Sequence, residues 1–340
     1  MKENDFSRHL TQYFSVYLPA RLNVSTNTIR SYKDSFKLFL TFCEEEKGIK
    51  IEKIYIKTLT NELIEDFLDW LEIKRHNSIS TCNQRLASIH SFLRFIQKDS
   101  LENLYEFQKI LAISYRKKPK KTIHYLTAEE MKILLEQPDI HTKKGRRDLT
   151  MLVVLYDTAA RVQELIDLKR RNVRISDPSV ITLHGKGDKD RQVPVMRKSQ
   201  KLISDYMDET YRNNGVSIGE LPLFTNQQKR QLSRWGISYI INKYVEKASK
   251  NEGFTVDFPI TPHIFRHSKA MHLLQANVNL IYIRDLLGHV DIATTELYAR
   301  ADIEMKRNAL EAAYIDLHTE KMPNWKNDIN LMEWLNNLCE

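Results

Sequence analysis

The sequence predicts a mainly α-helical protein with a small β-hairpin, divided into an N-terminal all-helical domain and a mixed, mostly helical C-terminal domain. Apolar residues recur at three- and four-residue spacing through most of the 340 residues, which is the pattern of amphipathic helices. The pattern changes to short β-prone runs near residues 180–195, and a basic segment containing Pro119 interrupts the helical periodicity. A chain of this length fits two domains of ordinary size.

The predicted N-terminal domain, residues 1–115, contains four helical patterns. They cover about residues 25–43, 60–71, 80–95 and 104–111, and each has a stripe of aromatic and aliphatic side chains. Thr60 directly precedes the second pattern, where its hydroxyl can cap the first turn of a helix. Four helices with such stripes predict a small domain that buries those side chains between them.

Basic residues of this half of the chain are candidates for contact with a polyanion. Arg30, Lys33 and Lys37 lie opposite the apolar stripe of the first helix, where a solvated face and a contact with the DNA backbone both stay open. Residues 116–126 are expected to form a linker, because like charges and a proline keep a chain extended. Its basic cluster is expected to follow DNA phosphates, the alternative being a solvated hinge. The cluster comprises Arg116, Lys117, Lys118, Lys120 and Lys121.

The second domain is expected to span residues 127–320 and to open with a helix, because Thr127 and Glu130 form the pattern of a capping box. Residues 180–183 and 192–195 predict the strands of a hairpin, and Pro194 confines the second strand to a sheet edge or a strand end. A later helix is expected to carry its apolar side chains on one face. They are Trp235, Ile237, Ile240, Ile241, Tyr244 and Ala248.

Composition narrows the class of protein. The formal net charge of +8 is compatible with a nucleic-acid partner but does not establish one. Three widely spaced cysteines support neither a disulfide framework nor a zinc site. We expect no metal and no cofactor. No long apolar run and no secretory signal is present in the sequence, so we expect a cytoplasmic protein without a membrane partner.

Six polar residues of the C-terminal half have complementary chemistry for phosphodiester cleavage. Arg161 lies between small residues and the start of a helix, and Lys186 lies in the Gly-Lys-Gly loop of the hairpin. Pro262 favours the first turn of a helix on which a histidine and an arginine then share one face. After the next helix, Gly288 allows a left-handed turn that directs its neighbour inward. The remaining members of the set are His263, Arg266, His289 and Tyr298.

In this order and spacing the motifs resemble those of the tyrosine recombinases, also called the phage integrase family. The resemblance covers essentially the whole C-terminal domain: an arginine followed by Glu-Leu, Gly-Lys-Gly, His-x-x-Arg-His, Leu-Gly-His, and a tyrosine nine residues past that histidine. The N-terminal helices and linker look like the family's core-binding domain. Ala160 and the pair Ile264-Phe265 depart from common family residues at supporting positions, which puts packing in question more than chemistry.

The resemblance implies a role for each matched residue. Arg161 and Arg266 would hold the non-bridging oxygens of the scissile phosphate, because planar guanidinium groups pair bidentately with phosphate. Tyr298 would attack phosphorus and form a 3′-phosphotyrosyl bond, with two neighbouring phenols, Tyr282 and Tyr314, as less favoured candidates. The family pattern makes His263 the general base, His289 a donor to the phosphate, and Lys186, rather than Lys189 on the same loop, the acid for the departing 5′-oxygen.

The resemblance also implies partners. We expect double-stranded DNA sites, a homo-tetramer assembled on DNA, accessory DNA-bending proteins, and a C-terminal segment, residues 321–340, that packs either in cis or on a neighbouring protomer. The function expected is site-specific recombination, by an integrase or transposase of a mobile element or by a resolvase of chromosome or plasmid dimers. A type IB topoisomerase and a catalytically inactive DNA-binding regulator are the alternatives.

Overall fold

The computed structural model describes residues 4–117, 122–185, 189–211, 218–289 and 292–301. The chain divides into two compact units between residues 121 and 122, inside the segment expected to be a linker. Both units are mainly helical, and the second contains one small sheet, so the fold class expected from the sequence is confirmed.

The N-terminal unit contains the four helices expected from the sequence and an additional helical segment before them. The unpredicted segment is helical from Asp5 to Arg21: it begins with α1 (Asp5–Gln12) and changes to a π-helix at Tyr13, whose ring is fully buried. The expected helices are α2 (Thr26–Glu45), α3 (Asn61–Ile73), α4 (Ile79–Ile96) and α5 (Leu104–Ala112). Thr60 caps α3 through its side chain.

Aromatic side chains fill the core of this unit. Phe36 of α2 meets Phe92 of α4 edge-to-face with 5.2 Å between ring centroids, and Phe39 meets Phe67 of α3 in the same way at 5.3 Å. Such pairs add about 0.5–1.5 kcal/mol each to the apolar burial. The core therefore holds α2, α3 and α4 together along the faces that the apolar periodicity predicted.

The basic residues of the unit differ in their surroundings. Arg30, Lys33 and Lys37 are exposed on α2, opposite its buried aromatic side chains, as expected. The guanidinium of Arg116 instead forms ion pairs with Asp69 and Glu72 of α3. Its backbone exchanges two hydrogen bonds with the side chain of Asn83 on α4.

The first residue of the expected linker is therefore fastened to the N-terminal unit. The two carboxylates beside Arg116 would compete with DNA phosphates for its guanidinium. Lys117 is exposed. Lys118, Lys120 and Lys121 lie outside the described residues.

The second unit opens as expected, because Thr127 and Glu130 form a reciprocal capping box at the start of its first helix. The helices of the unit are α6 (Ala128–Leu135), α7 (Lys143–Asp157), α8 (Val162–Asp167), α9 (Arg197–Tyr211), α10 (Arg234–Ala248), α11 (Pro262–Gln275), α12 (Leu280–Leu287) and α13 (Ala293–Ala301). A short strand, β1 (Val173–Arg174), precedes the hairpin strands β2 (Val180–Gly185) and β3 (Lys189–Pro194).

The three strands form one antiparallel sheet in the order β1-β2-β3. The hairpin strands are longer than the sequence indicated, because pairing continues from Val180 opposite Pro194 to Gly185 opposite Lys189. Charged residues at the turn end of the hairpin hid this pairing from the apolar pattern. Pro194 ends β3, which is an edge strand, so its expected position is confirmed.

Helix α10 confirms most of its predicted apolar face. Ile237, Ile241 and Tyr244 are buried, whereas Trp235 is 77% exposed and its inclusion in that face was wrong. Two residues of helix correspond to about 200° of rotation, so Trp235 lies on the side opposite Ile237. Its indole stacks on the exposed ring of Tyr239 with 5.7 Å between centroids.

Helix α11 is anchored to the start of the unit by both backbone groups of Leu126. The Leu126 amide donates to the hydroxyl of Ser268, and its carbonyl accepts from Nε2 of His272. With Nε2 protonated, Nδ1 of His272 accepts from the Tyr156 hydroxyl of α7. These bonds fix α11, which carries His263 and Arg266, against α7.

Candidate active site

Arg161 lies at the N-terminal boundary of α8, where a sharp turn precedes it. Ala159 has a φ of 48°, a left-handed conformation that is uncommon for residues other than glycine. The Arg161 amide donates to Oε2 of Glu164 and its Nη1 donates to Oε1, both at 2.8 Å. Its side chain remains 34% exposed, so the guanidinium is partly accessible to a ligand.

Arg266 is held almost entirely inside the protein. It is 3% exposed, and its two terminal nitrogens donate to the carbonyls of Ala159 and Leu287. Burial, together with the charges of Arg161 and Arg191, lowers the pKa of Arg266 to about 10. The folded protein therefore places this cation where an anion would be strongly attracted.

His289 follows the left-handed turn that the sequence predicted. Gly288 has a φ of 61° and ends α12, and Nδ1 of His289 lies 2.9 Å from the hydroxyl of the buried Thr295. Burial and the charges of Arg266, Arg161 and Arg191 lower the pKa of His289 to about 4. The imidazole is therefore neutral at pH 7. When Thr295 donates to Nδ1, Nε2 carries the proton and can donate it.

His263 occupies the first turn of α11, and Pro262 begins that helix as expected. Its side chain is solvent-accessible. Partial desolvation and then the charges of Arg266 and Arg161 lower the pKa of His263 below its ordinary value. A neutral imidazole beside two guanidinium groups can act as a proton acceptor near neutral pH.

Tyr298 lies on α13 with its ring buried, 4% exposed, in an apolar cluster that includes Ala270 and Leu287. Its hydroxyl lies 2.8 Å from Nδ1 of His267. Burial raises the pKa of Tyr298, and the charges of Arg266 and Arg161 act in the opposite direction without outweighing it. The phenol is thus neutral in this arrangement and needs an acceptor for its proton.

His267 was given no catalytic role from the sequence, although it is the last residue of the His-x-x-Arg-His motif. In the structure it contacts the Tyr298 hydroxyl directly. Burial, then the neighbouring His263 and Arg266, lower the pKa of His267 below its ordinary value. A neutral His267 can accept the phenol proton through Nδ1. Its position four residues after His263 was a signal for this role, since residues four apart lie on the same face of a helix.

Lys186 lies outside the described residues, so its predicted place in the site stays a prediction. The strands on either side of it are described, and they end beside Glu164. A β-carbon added at Gly185 would lie 3.7 Å from Oε1 of Glu164 and 3.9 Å from Nη1 of Arg191. The hairpin therefore brings the neighbour of Lys186 to the carboxylate that holds Arg161.

Arg191 is a further member of the cluster that sequence reasoning missed. It lies on β3, it is largely buried, and it donates to both oxygens of Glu164.

Among the described residues, no group of three or more His, Cys, Asp or Glu side chains could hold a metal ion. In the same part of the chain, no helix is long and apolar enough to cross a membrane.

The geometry brings Arg161, Arg266, His289 and Tyr298 around the C-terminal end of α12. The Phage integrase family profile matches residues 124–305, more than half of the chain. The chain belongs to the phage integrase family. The profile described as Phage integrase, N-terminal SAM-like domain matches residues 10–99. The family and the general function expected from the sequence, site-specific recombination, are thereby confirmed.

Three similar proteins illustrate the match. A putative integrase/recombinase, y4rC, of Sinorhizobium fredii is 32% identical over 330 residues, 97% of this chain and 97% of that protein. Tyrosine recombinase XerD of Staphylococcus epidermidis is 30% identical over 302 residues, 89% of this chain and 96% of that protein. The integrase of transposon Tn1549, in complex with transposon right end DNA, has the same fold: TM-score 0.67, 17% identity, 88% of this chain and 98% of that chain.

Proposed function

We propose that this recombinase cleaves and rejoins DNA strands through a covalent 3′-phosphotyrosyl intermediate formed by Tyr298. The observation that carries the proposal is a buried phenol hydrogen-bonded to a neutral imidazole within the field of two guanidinium groups. A phenol needs both a proton acceptor and positive charge to attack phosphorus near neutral pH, since its ordinary pKa is about 10.

Arg161 and Arg266 bind the non-bridging oxygens of the scissile phosphate. Both have terminal nitrogens anchored on carbonyls of α12 or its cap, which fixes the planes of the guanidinium groups before DNA arrives. Negative charge grows on the equatorial oxygens as phosphorus becomes five-coordinate, so donors already aimed at them lower the barrier. His289 adds a neutral donor through Nε2.

Proton transfer from Tyr298 has two candidate acceptors. His263 is the acceptor that the family resemblance implies, and it is neutral and solvent-accessible. His267 is the one in hydrogen-bond contact with the hydroxyl. We propose that His267 first holds the phenol through its hydrogen bond to the hydroxyl. His263 then accepts the proton, once the hydroxyl has moved to phosphorus.

The reaction is an exchange of esters. The bond from phosphorus to the tyrosine oxygen forms as the bond to the 5′-oxygen breaks, and Lys186 supplies the proton that the departing oxygen takes. The phosphotyrosyl ester keeps the energy of the broken phosphodiester, so a 5′-hydroxyl of another strand can attack it without ATP. Attack by a different strand is recombination.

The DNA partner follows from the same chemistry and from the relatives. The Tn1549 integrase has the same fold and is bound to DNA in its structure. The proposed phosphate contacts are Arg30, Lys33 and Lys37 of the N-terminal unit, together with the basic cluster of residues 116–121. Strand exchange between two duplexes needs four active sites, so we propose a homo-tetramer on DNA, with accessory DNA-bending proteins as further partners.

An integrase or transposase of a mobile element is the proposed biological role. The similarity to a putative integrase/recombinase over nearly the full length of both chains supports it. Type IB relaxation and inactive DNA binding have no observation in their favour. Relaxation of a supercoiled plasmid that lacks a paired site would support the topoisomerase alternative.

The decisive test is a suicide substrate, a duplex nicked near the cleavage point of the site footprinted beside the gene. The native chain should form a covalent protein–DNA adduct that survives denaturing electrophoresis, and Tyr298→Phe should form none. Tyr282→Phe is the matched control, because that phenol is 71% exposed on α12, and it should react like the native chain. An adduct with Tyr298→Phe, or none with the native chain on its own site, would refute the proposal.

Assembly is tested separately. Analytical ultracentrifugation with footprinted DNA should show four protomers on two sites for the native chain. Deletion of residues 331–340, which lie outside the described residues, should weaken that assembly. Unchanged assembly by the deletion variant would remove the role expected for the C-terminal segment.

A further inference from the structure

Three successive carbonyls at the C-terminal end of α12 each accept a hydrogen bond from a different arginine. The Leu286 carbonyl accepts from Nε of Arg191 at 2.8 Å, and the Leu287 carbonyl accepts from Arg266. The Gly288 carbonyl accepts from Arg161 at 3.3 Å. A helix C-terminus carries partial negative charge and unpaired carbonyls, so it is a natural anchor for cations.

Two of these arginines have assigned partners in the proposed reaction, and the third, Arg191, has none. Its side chain is 11% exposed, and it lies on β3 at the end of the hairpin that carries Lys186. Its Nη1 and Nη2 donate to Oε1 and Oε2 of Glu164 at 2.9 and 2.7 Å. This paired arrangement fixes the plane of the carboxylate, because two parallel hydrogen bonds prevent the carboxylate from rotating about either one.

Glu164 has all of its acceptor positions filled. Each of its oxygens accepts one bond from Arg191 and one from Arg161, the latter through the backbone amide and Nη1. A carboxylate offers about four acceptor sites, and here four N–H groups use them. With Arg191 in place, Glu164 can take only one terminal nitrogen of Arg161, and the rest of that guanidinium stays available.

Without Arg191, the freed carboxylate could turn and bind Arg161 with both oxygens. Arg161 would then be drawn from the phosphate position, and its charge would be offset by its own partner. Arg191 also adds one positive charge to a cluster that otherwise contains two guanidinium groups, those of Arg161 and Arg266, and one carboxylate.

From these contacts we infer that Arg191 is a positioning residue for strand cleavage: it orients Glu164 and, through Glu164, the guanidinium of Arg161. The inference rests on the proposed function, because it concerns the same reaction. Gly288 is part of the arrangement, since a β-carbon there would lie 3.1 Å from Cδ and Nη1 of Arg191. The hairpin is thereby joined through one side chain to α8 and to the end of α12.

The test compares Arg191→Gln with a matched arginine of the same unit. Arg147 is also largely buried, and it also pairs with a carboxylate, Asp148, and a carbonyl, that of Thr225. The readouts are the single-turnover rate of adduct formation on the nicked, footprinted duplex and the dissociation constant for the same duplex.

Arg191→Gln should slow adduct formation about 30- to 100-fold, since misplacement of a positioned group by about 1 Å can cost about 10²-fold. The dissociation constant should change less than about threefold, and Arg147→Gln should leave the cleavage rate unchanged. In an Arg161→Ala background, Arg191→Gln should add less than about threefold, because the group it positions is already gone.

A cleavage rate for Arg191→Gln within about threefold of native would overturn the inference, and so would an equal slowing in the presence and absence of Arg161. Thermal unfolding checks that each variant is folded. If Arg191→Gln is not, Arg191→Lys replaces it, and it should retain part of the rate because it keeps the charge without the paired geometry. Failure of the native chain to form any adduct would instead refute the proposed function.

Discussion

Replacing Arg266 with methionine should slow cleavage about 10²- to 10³-fold or more at little cost to folding. The guanidinium is 3% exposed and donates to the carbonyls of Ala159 and Leu287, which is the arrangement of a residue that stabilises the fold. Its pKa of about 10, lowered by burial and by Arg161 and Arg191, shows that the protein holds the charge there at a cost. Methionine has a similar length and no charge to desolvate.

For the stability of Arg266→Met, the cost of the buried charge that is removed and the cost of the hydrogen bonds that are lost nearly cancel. A pKa lowered to about 10 corresponds to a cost of about 3 kcal/mol for keeping the cation in the folded state. Leaving two buried carbonyls without a donor costs about 1–3 kcal/mol each. The free energy of unfolding should therefore change by less than about 3 kcal/mol. The rate of adduct formation should fall about 10²- to 10³-fold or more, as for loss of one oxyanion donor.

Urea unfolding of the full chain and single-turnover cleavage of the nicked duplex measure the two effects. Arg147→Met is the informative contrast, because it leaves the buried carboxylate of Asp148 without its guanidinium and should destabilise more, by about 3–5 kcal/mol. Cleavage by Arg266→Met within about tenfold of native would contradict the phosphate-binding role. A loss of more than about 5 kcal/mol in the free energy of unfolding would show that Arg266 mainly stabilises the fold.

Three further predictions follow from single contacts. His267→Leu should keep DNA affinity but slow adduct formation about tenfold or more, because leucine cannot accept the hydrogen bond that holds the Tyr298 hydroxyl in place; an unchanged single-turnover rate would contradict this. The free energy of unfolding should fall as the pH drops from about 6.5 to about 4, because His289 binds a proton more readily when unfolded. His289→Gln should flatten that dependence in urea titrations, and an identical slope would rule out His289 as its source. Gly288→Ala should lower stability by about 1–2 kcal/mol, measured by urea unfolding, because its φ is 61° and the new methyl would press on Arg191; no loss would contradict that geometry.

Motif spacing predicted the backbone of the site well. Thr127 with Glu130, Pro262 at a helix start and Gly288 in a left-handed turn are local signals, and each has the conformation expected of it. Such features depend on the chemistry of a few neighbouring residues, which a sequence displays directly. The order of the polar motifs then identified the family whose profile matches residues 124–305.

Side-chain partnerships were harder to predict. Nothing local connects Arg191 with Glu164 or with the Leu286 carbonyl, which are 27 and 95 residues away along the chain. His267 received no role although it ends the His-x-x-Arg-His motif, because the motif does not show that its imidazole meets the hydroxyl of Tyr298 on another helix. Trp235 was assigned to a buried face because it is apolar, whereas its angular position on α10 directs it to solvent.

The chemical nature of the trapped protein–DNA linkage tests the central claim most directly. Protease digestion of the adduct followed by mass spectrometry should locate the nucleotide on the phenol oxygen of Tyr298. The released strand should end in a 5′-hydroxyl that polynucleotide kinase can label, because the protein retains the 3′-phosphate. A linkage at another residue, or a protein bound to the 5′ end, would contradict the account.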